Sequence, residues 1–139
     1  MARINDRHSP AHELFDRDTA SMGLGIELLD AGPGRASVRM TVTGAMLNGH
    51  AFAHGGYVFL LADTAFACAC NSHGPVTVAA GADISFLQPA RAGDVLEARA
   101  EERTRSGRSG VYDVTVRRGD EVVAEFRGRS RTVGPGWPA

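Results

Sequence analysis

The sequence has few of the residues that mark disulfide-rich, aromatic-rich or nucleic-acid-binding proteins. It contains two cysteines in 139 residues, 6% aromatic residues, and 15 Lys and Arg against 16 Asp and Glu. The net charge of −1 argues against a dedicated nucleic-acid binder, because such proteins usually carry a marked basic excess. Cys68 and Cys70 lie two residues apart in a predicted helix, so their side chains diverge, and we expect inert core thiols rather than a disulfide.

Long apolar segments are also scarce. Residues 1–8 contain no apolar core of a signal peptide. The most apolar stretch, residues 57–70, is shorter than the roughly 20 residues of a spanning helix, and it carries the charge of Asp63. We therefore expect a cytoplasmic protein without a membrane segment. The length, with 43% hydrophobic and 22% charged residues, suits a single domain over 1–139 that buries its own core.

Hydrophobic periodicity predicts one enclosed helix and several strands. Residues 57–70 are apolar on all sides and too numerous for a typical strand, which predicts a buried helix that begins near Gly55. Alternating or turn-bounded segments predict strands at 36–42, 76–88, 94–105, 109–118 and 121–133, with 26–29 extending or preceding the first. We also expect a short amphipathic helix at 10–22, within an N-terminal helical segment (1–25), and a flexible tail at 134–139.

These elements together predict an α+β fold. Consecutive strands with short turns pair antiparallel, which gives a curved sheet of about five to six strands around one long helix. A second copy of the sheet would complete the enclosure of so apolar a helix, so a homodimer is expected.

The charge at Asp63 is the strongest functional signal in the chain. An ionised carboxylate among apolar residues is costly unless something pairs with it, and Asp is rarely buried unpaired. A polar cluster, Asn48–Gly56, lies just upstream and ends where the apolar run begins. Two interpretations remain open: Asp63 takes part in a reaction, or it is a buried acid satisfied by a nearby hydroxyl or backbone amide.

The start of the predicted helix suggests where a reaction could occur. The first amides of a helix have no intrahelical acceptor and lie at the positive end of its dipole. Gly55 and Gly56 have no side chain, so a ligand could approach this backbone closely, and the oxyanion of an ester or thioester would be stabilised there. In the simpler interpretation, the two glycines only permit a tight turn. Asn48 could orient a water or bond a carbonyl, but Asn also favours turns, and for this residue in isolation the turn is the favoured interpretation.

Helix geometry places His54 and Asp63 far apart within one chain. Nine residues from His54 to Asp63, at about 100° each, place the two side chains on opposite sides of the helix and roughly 13 Å apart along its axis. Either Asp63 is structural, or a symmetry mate brings its own Asp63 to this chain's His54 and Gly55. The second interpretation predicts two sites at a subunit interface.

Histidine and arginine leave further possibilities. His50 and His54 have a spacing that would face one metal on a helix, but they precede the helix and lack a third ligand, so neither a metal nor another cofactor is expected. Arginines are concentrated in residues 99–131, where they form either a solvated strand face or a phosphate-binding surface. The remaining histidines are expected at the surface: His8, His12 and His73.

The segment Asn48–Ser72, with the pattern Asn-x5-His-Gly-Gly-x6-Asp, closely resembles the phenylacetate-degradation (PaaI-type) acyl-CoA thioesterases of the hotdog-fold superfamily. The strand and turn at Asp83–Asp94 resemble the same family, and together the two segments cover the middle third of the chain. The resemblance implies the hotdog fold and a homo-oligomer, typically a tetramer built from two dimers.

The resemblance also implies roles for individual residues. Asp63 would be the general base or nucleophile, and the Gly55 amide would polarise the thioester carbonyl. Asn48 and His54 would position the attacking water or the carbonyl, across the interface from the partner's Asp63. Arg108, which follows a glycine in a turn between strands, would contact the phosphates of coenzyme A.

The resulting hypothesis is hydrolysis of phenylacetyl-CoA, or a ring-hydroxylated derivative, to the acid and free coenzyme A. Phe59 could line the acyl pocket or belong to the core. Two alternatives stay open: a hotdog enoyl-CoA hydratase or dehydratase, which the His, Gly and Asp arrangement fits poorly, and a non-catalytic acyl-CoA-binding module. The sequence leaves the physiological acyl group open, as it does the choice between general-base and covalent anhydride routes.

Overall fold

The structure, a computed structural model, describes residues 8–138. Its helices and the short 3-10 turn are α1 (Pro10–Asp16), α2 (Thr19–Gly23), the turn at Gly44–Met46 and the long α3 (Gly55–Cys70). Its strands are β1 (Glu27–Gly32), β2 (Arg35–Thr41), β3 (Thr77–Phe86), β4 (Val95–Ser106), β5 (Ser109–Arg118) and β6 (Glu121–Thr132).

All six strands form one antiparallel sheet in the order β1-β2-β4-β5-β6-β3. β1 and β3 are the two edge strands of this sheet. α3 packs across one face and contacts every strand. The predicted α+β arrangement of one long helix on a sheet of about six strands is therefore confirmed.

Small residues on the sheet let α3 approach closely. Buried alanines on β2, β4 and β6 face the helix, among them Ala36, Ala98 and Ala124. A Cβ built on Gly128 would lie 2.8 Å from the ring of Phe66, so only glycine fits beneath that ring. Small residues on the sheet thus make room for larger side chains of α3, and the two layers pack closely.

The structure corrects several details of the N-terminal region. The helix predicted at 10–22 is two helices, because Asp18 caps α2 by accepting a hydrogen bond from the Ser21 amide at 2.9 Å. His12 is buried rather than exposed, and its Nδ1 lies 2.7 Å from the Ser9 hydroxyl. Residues 1–7 of the predicted N-terminal segment, and residue 139 of the predicted tail, lie outside the described residues.

Two further expectations concern the end of α3 and the membrane. His73 is partly buried, not freely exposed, because its Nε2 lies 2.8 Å from a carboxylate oxygen of Glu102. Among residues 8–138, no helix combines the length and apolarity needed to cross a membrane.

Candidate active site

The first residues of α3 present one free backbone amide. His54 is the N-cap, and its Nδ1 accepts a hydrogen bond from the Gly56 amide at 2.9 Å. No acceptor for the Gly55 amide is found within residues 8–138. That amide lies at the positive end of a 16-residue helix. The Gly55 amide is therefore available to a ligand, whereas the Gly56 amide already donates to the side chain of the N-cap His54.

The His54 cap also fixes the proton on the imidazole. Since Nδ1 accepts a hydrogen bond, the neutral ring carries its proton on Nε2. The side chain is exposed, so this N–H can donate to a ligand beside the helix start.

A cavity of about 460 Å³ opens beside Gly55. Most of its walls are apolar, with Phe52, Val58, Phe86 and Val123 among the lining residues. A Cβ on Gly55 would lie 2.9 Å from Cζ of Phe86, so the ring covers this glycine and any side chain there would displace it. An apolar chamber next to an unsatisfied amide can hold the carbonyl of a substrate whose acyl group is apolar.

Asn48 is compatible with both roles that the sequence left open, forming a turn and contacting a ligand. Its Oδ1 accepts hydrogen bonds from the amides of His50 at 2.9 Å and Phe52 at 3.4 Å, which closes a turn. Its Nδ2 has no acceptor within the described residues, and the residue lines the cavity beside Gly55. The side chain can thus shape the loop with its oxygen and donate to a ligand with its nitrogen.

Asp63 lies in a different place. It is half-buried and lines a second cavity of about 300 Å³ together with Phe66, Asn71 and the start of β3. Within residues 8–138 its carboxylate has no hydrogen bond and no ion pair. Burial, followed by the nearby negative charge of Asp18, raises the pKa of Asp63 above its usual value. The described residues therefore provide no compensation for this charge.

The two cavities have no lining residue in common. Eight residues of helix separate Gly55 from Asp63, which corresponds to about 12 Å along the axis. The Asp63 cavity touches the first residues of β3, whereas the Gly55 cavity touches Phe86 at its last position. One chain alone does not bring the predicted base to the predicted carbonyl site.

None of the other predicted substrate contacts lines either cavity. The ring of Phe59 packs against Phe126, with centroids 5.3 Å apart, as the core interpretation expected. The backbone amide of Gly56 donates to the side chain of the N-cap His54. Arg108 lies in the turn between β4 and β5, where its carbonyl accepts from the Thr132 amide at 2.7 Å.

Two negative findings concern other chemistry. No group of three or more His, Cys, Asp or Glu that could hold a metal ion occurs in the part of the chain that the structure describes. Cys68 and Cys70 are buried, and burial raises the pKa of both thiols to about 12, so neither is a nucleophile at neutral pH.

Two site residues escaped the sequence-based prediction. Phe86 looked like one more strand residue, and nothing in its neighbourhood signals that its ring would cover Gly55. Asp18 carries a recognisable N-cap pattern with Ser21, but its position beside Asp63 depends on how α2 packs against α3.

Comparisons with known proteins place most of the chain among thioesterases. The model of the family described as "Thioesterase superfamily" matches residues 50–125. Acyl-coenzyme A thioesterase PaaI of Escherichia coli (strain K12) is 47% identical over 125 residues, which cover 89% of each chain.

Two solved structures extend the similarity to the fold. The E. coli PaaI protein from the phenylacetic acid degradation operon has a TM-score of 0.88 and 46% identity, covering 90% of this chain and 91% of that one. A mutant of the phenylacetic acid degradation protein PaaI from Thermus thermophilus has a TM-score of 0.81 and 38% identity, covering 84% of this chain and 100% of that one.

Proposed function

The chain belongs to the thioesterase superfamily, and on that premise we propose that it hydrolyses acyl-CoA thioesters to a carboxylic acid and free coenzyme A. The predicted hotdog fold is confirmed by the structural matches. An aromatic acyl group, phenylacetyl or ring-hydroxylated phenylacetyl, is proposed because the similar E. coli protein comes from the phenylacetic acid degradation operon.

The observation that carries the proposal for the site is the free edge of β3. This ten-residue strand pairs with β6 on one side and has no strand on its other side within residues 8–138. Two β3 strands related by a two-fold axis would pair antiparallel, with the start of one beside the end of the other. Because the Asp63 cavity lies at the start of β3 and the Gly55 cavity at its end, this pairing joins the two cavities. The dimer then contains two equivalent sites.

In each such site the thioester carbonyl accepts a hydrogen bond from the Gly55 amide. The Nδ2 of Asn48 and the Nε2 of His54 are the free donors that orient the carbonyl or the water. In the general-base route, the partner's Asp63 takes a proton from the water, whose oxygen adds to the carbonyl carbon. The C–S bond then breaks, and the coenzyme A sulfur leaves with the proton. In the alternative route, the carboxylate oxygen attacks the carbonyl carbon, the C–S bond breaks and coenzyme A leaves as the thiolate. Water then hydrolyses the resulting mixed anhydride, which releases the acid, regenerates the carboxylate and supplies the proton that the thiolate takes up.

Two remaining predictions rest on the resemblance. Arg108 is proposed to contact the phosphates of coenzyme A, and two dimers are proposed to form a tetramer, which sedimentation velocity measures directly. Arg108 is compatible with its role because its guanidinium has no carboxylate partner among the described residues.

Subunit complementation tests the proposed site. We would co-express Asp63→Asn and Gly55→Pro chains under different tags, purify the mixed assemblies, and measure thiol release from phenylacetyl-CoA. A mixed dimer contains one intact site and one doubly altered site, so about half of the wild-type activity should return, whereas each parent variant is nearly inactive. If the site lay within one chain, the mixed assemblies would be as inactive as the parents. Wild-type protein that binds phenylacetyl-CoA without releasing thiol would contradict the proposed hydrolysis.

A further inference from the structure

One end of the sheet gathers groups that the proposed reaction does not use. The Thr132 amide donates to the Arg108 carbonyl at 2.7 Å, and the Val133 amide donates to the Val76 carbonyl at 2.9 Å. These bonds place the end of β6 between the turn that carries Arg108 and the segment that leads into β3. The C-terminal residues 134–138 continue from this point.

An exposed aromatic surface lies on that C-terminal segment. Trp137 is 54% exposed and Val76 is 57% exposed, and both line a cleft of about 290 Å³. Val76 also lines the Asp63 cavity, so this cleft and the Asp63 cavity are adjacent. The Trp137 cleft thus shares one wall residue, Val76, with the Asp63 cavity, and it reaches the end of β6 through Val133.

The arginines near this end differ in how they are paired. Four of them lie within 4 Å of carboxylates: Arg103, Arg105, Arg127 and Arg129. Arg108 and Arg131 have no carboxylate partner among residues 8–138. Arg131 immediately precedes Thr132 and is paired in the sheet with Ser109, one residue after Arg108. Two neighbouring uncompensated arginines suit a phosphorylated ligand, because the guanidinium fork matches phosphate oxygens.

We propose that Trp137 and Arg131 join Arg108 in a subsite for the nucleotide end of the coenzyme A substrate. The indole stacks on the adenine ring, and the guanidinium of Arg131 binds a phosphate of the nucleotide. This inference rests on the proposed function, since it names the part of that substrate which the subsite holds. All three residues belong to the subunit that supplies Asp63.

Fluorescence provides a direct test, because Trp137 is the sole tryptophan of the chain. Free coenzyme A and adenosine 3′,5′-bisphosphate should each change its emission saturably, whereas pantetheine, which lacks the nucleotide, should not. Unchanged emission at coenzyme A concentrations that fully inhibit the enzyme would overturn the stacking role, as would an equal response to pantetheine.

Kinetics separates the subsite from the reaction. Trp137→Ala and Arg131→Gln should each raise KM for phenylacetyl-CoA about tenfold relative to KM for phenylacetyl-pantetheine, and Trp137→Phe should restore part of the ratio. Arg117→Gln is the matched control, because this exposed arginine at the opposite end of β5 also lacks a carboxylate partner within the described chain.

The outcomes distinguish the two proposals. If the wild-type protein hydrolyses neither thioester, the proposed function is wrong. If it hydrolyses both and the KM ratio is the same in Trp137→Ala, Arg131→Gln and the control, the reaction stands and the nucleotide subsite is wrong.

Discussion

Asp63 in α3 and Asn71 at its C-cap differ sharply in how well the fold satisfies their side chains. Asn71, 9% exposed, donates to the carbonyls of Ala67 and Thr77 and accepts from the Thr77 amide, each at 2.9 Å. Asp63, two turns earlier, has no hydrogen bond or ion pair within residues 8–138. The neutral amide is fully satisfied, whereas the carboxylate, which costs more to bury, is not.

This contrast indicates that Asn71 stabilises the fold, whereas Asp63 interacts with a group outside its own chain. Asn71 ties the end of the helix to the start of β3, so its bonds are lost only on unfolding. The charge of Asp63 has no compensating group among residues 8–138, so a partner subunit, water or substrate is expected to supply it. Substitutions at the two positions should therefore affect different measurements.

Asp63→Asn should produce the largest effect. Loss of the base or nucleophile should lower kcat for phenylacetyl-CoA by about 10³-fold. The thermal midpoint should not fall, because the raised pKa of Asp63 means that its ionised form opposes folding at neutral pH, and the amide removes that cost. Steady-state thiol release and thermal unfolding measure the two effects. Near-normal kcat, or a clear loss of stability, would place Asp63 with Asn71 among the structural groups.

Gly55→Pro tests the other half of the proposed site. Proline removes the amide hydrogen at the first helical position, where helices accept proline, and the ψ of 134° at His54 suits a residue before proline. Its Cβ, like that of any side chain there, displaces the Phe86 ring. We expect kcat to fall by about 10²-fold, as when one oxyanion donor is lost.

The matched variant is Gly55→Ala, which keeps the amide but adds a Cβ against Phe86. It separates the loss of the donor from the steric effect of the added carbon. Equal kcat values for the proline and alanine variants would show that the amide hydrogen has no part in the reaction.

Asn71→Ala should show the reverse pattern. Three hydrogen bonds of a buried amide are lost, and the Thr77 backbone groups lose their partner, so the free energy of unfolding should fall by roughly 2–3 kcal/mol. At a temperature where the variant is fully folded, kcat should stay within about twofold of wild type. Urea denaturation and thiol release on the same preparation give both values, and a kcat loss without a stability loss would reverse the assignment.

The enclosed helix and the isolated position of Asp63 could be predicted from the sequence. The apolar run at 57–70 predicted an enclosed helix, and a single charge inside it marked Asp63. Helix geometry predicted that His54 and Asp63 could not share one atom within a chain, and the structure places Gly55 and Asp63 in separate cavities. Strand alternation predicted the bounds of β5 to the residue, because both of its turns are short.

The parts that escaped prediction depend on tertiary contacts. Phe86 covers Gly55 because β3 pairs with β6 in a register that puts Phe86 opposite Ala124. The break between α1 and α2 depends on the Asp18 cap and on the 2.8 Å contact between the Ser21 and Thr64 hydroxyls. Local periodicity contains no information about either contact.

Asp18→Asn should have the smallest effect on activity, a shift of the pH profile that depends on the surroundings of Asp63. Burial and the charge of Asp18 both raise the pKa of Asp63, and only the ionised carboxylate can act as base or nucleophile. Activity therefore rises with pH through this raised pKa. Removing the charge of Asp18 should move the acidic limb of the kcat/KM profile to lower pH, while the asparagine oxygen still caps α2. Asp120→Asn, in the exposed turn between β5 and β6, should leave the limb in place, and an equal shift in both variants would mean that Asp18 acts only through net charge.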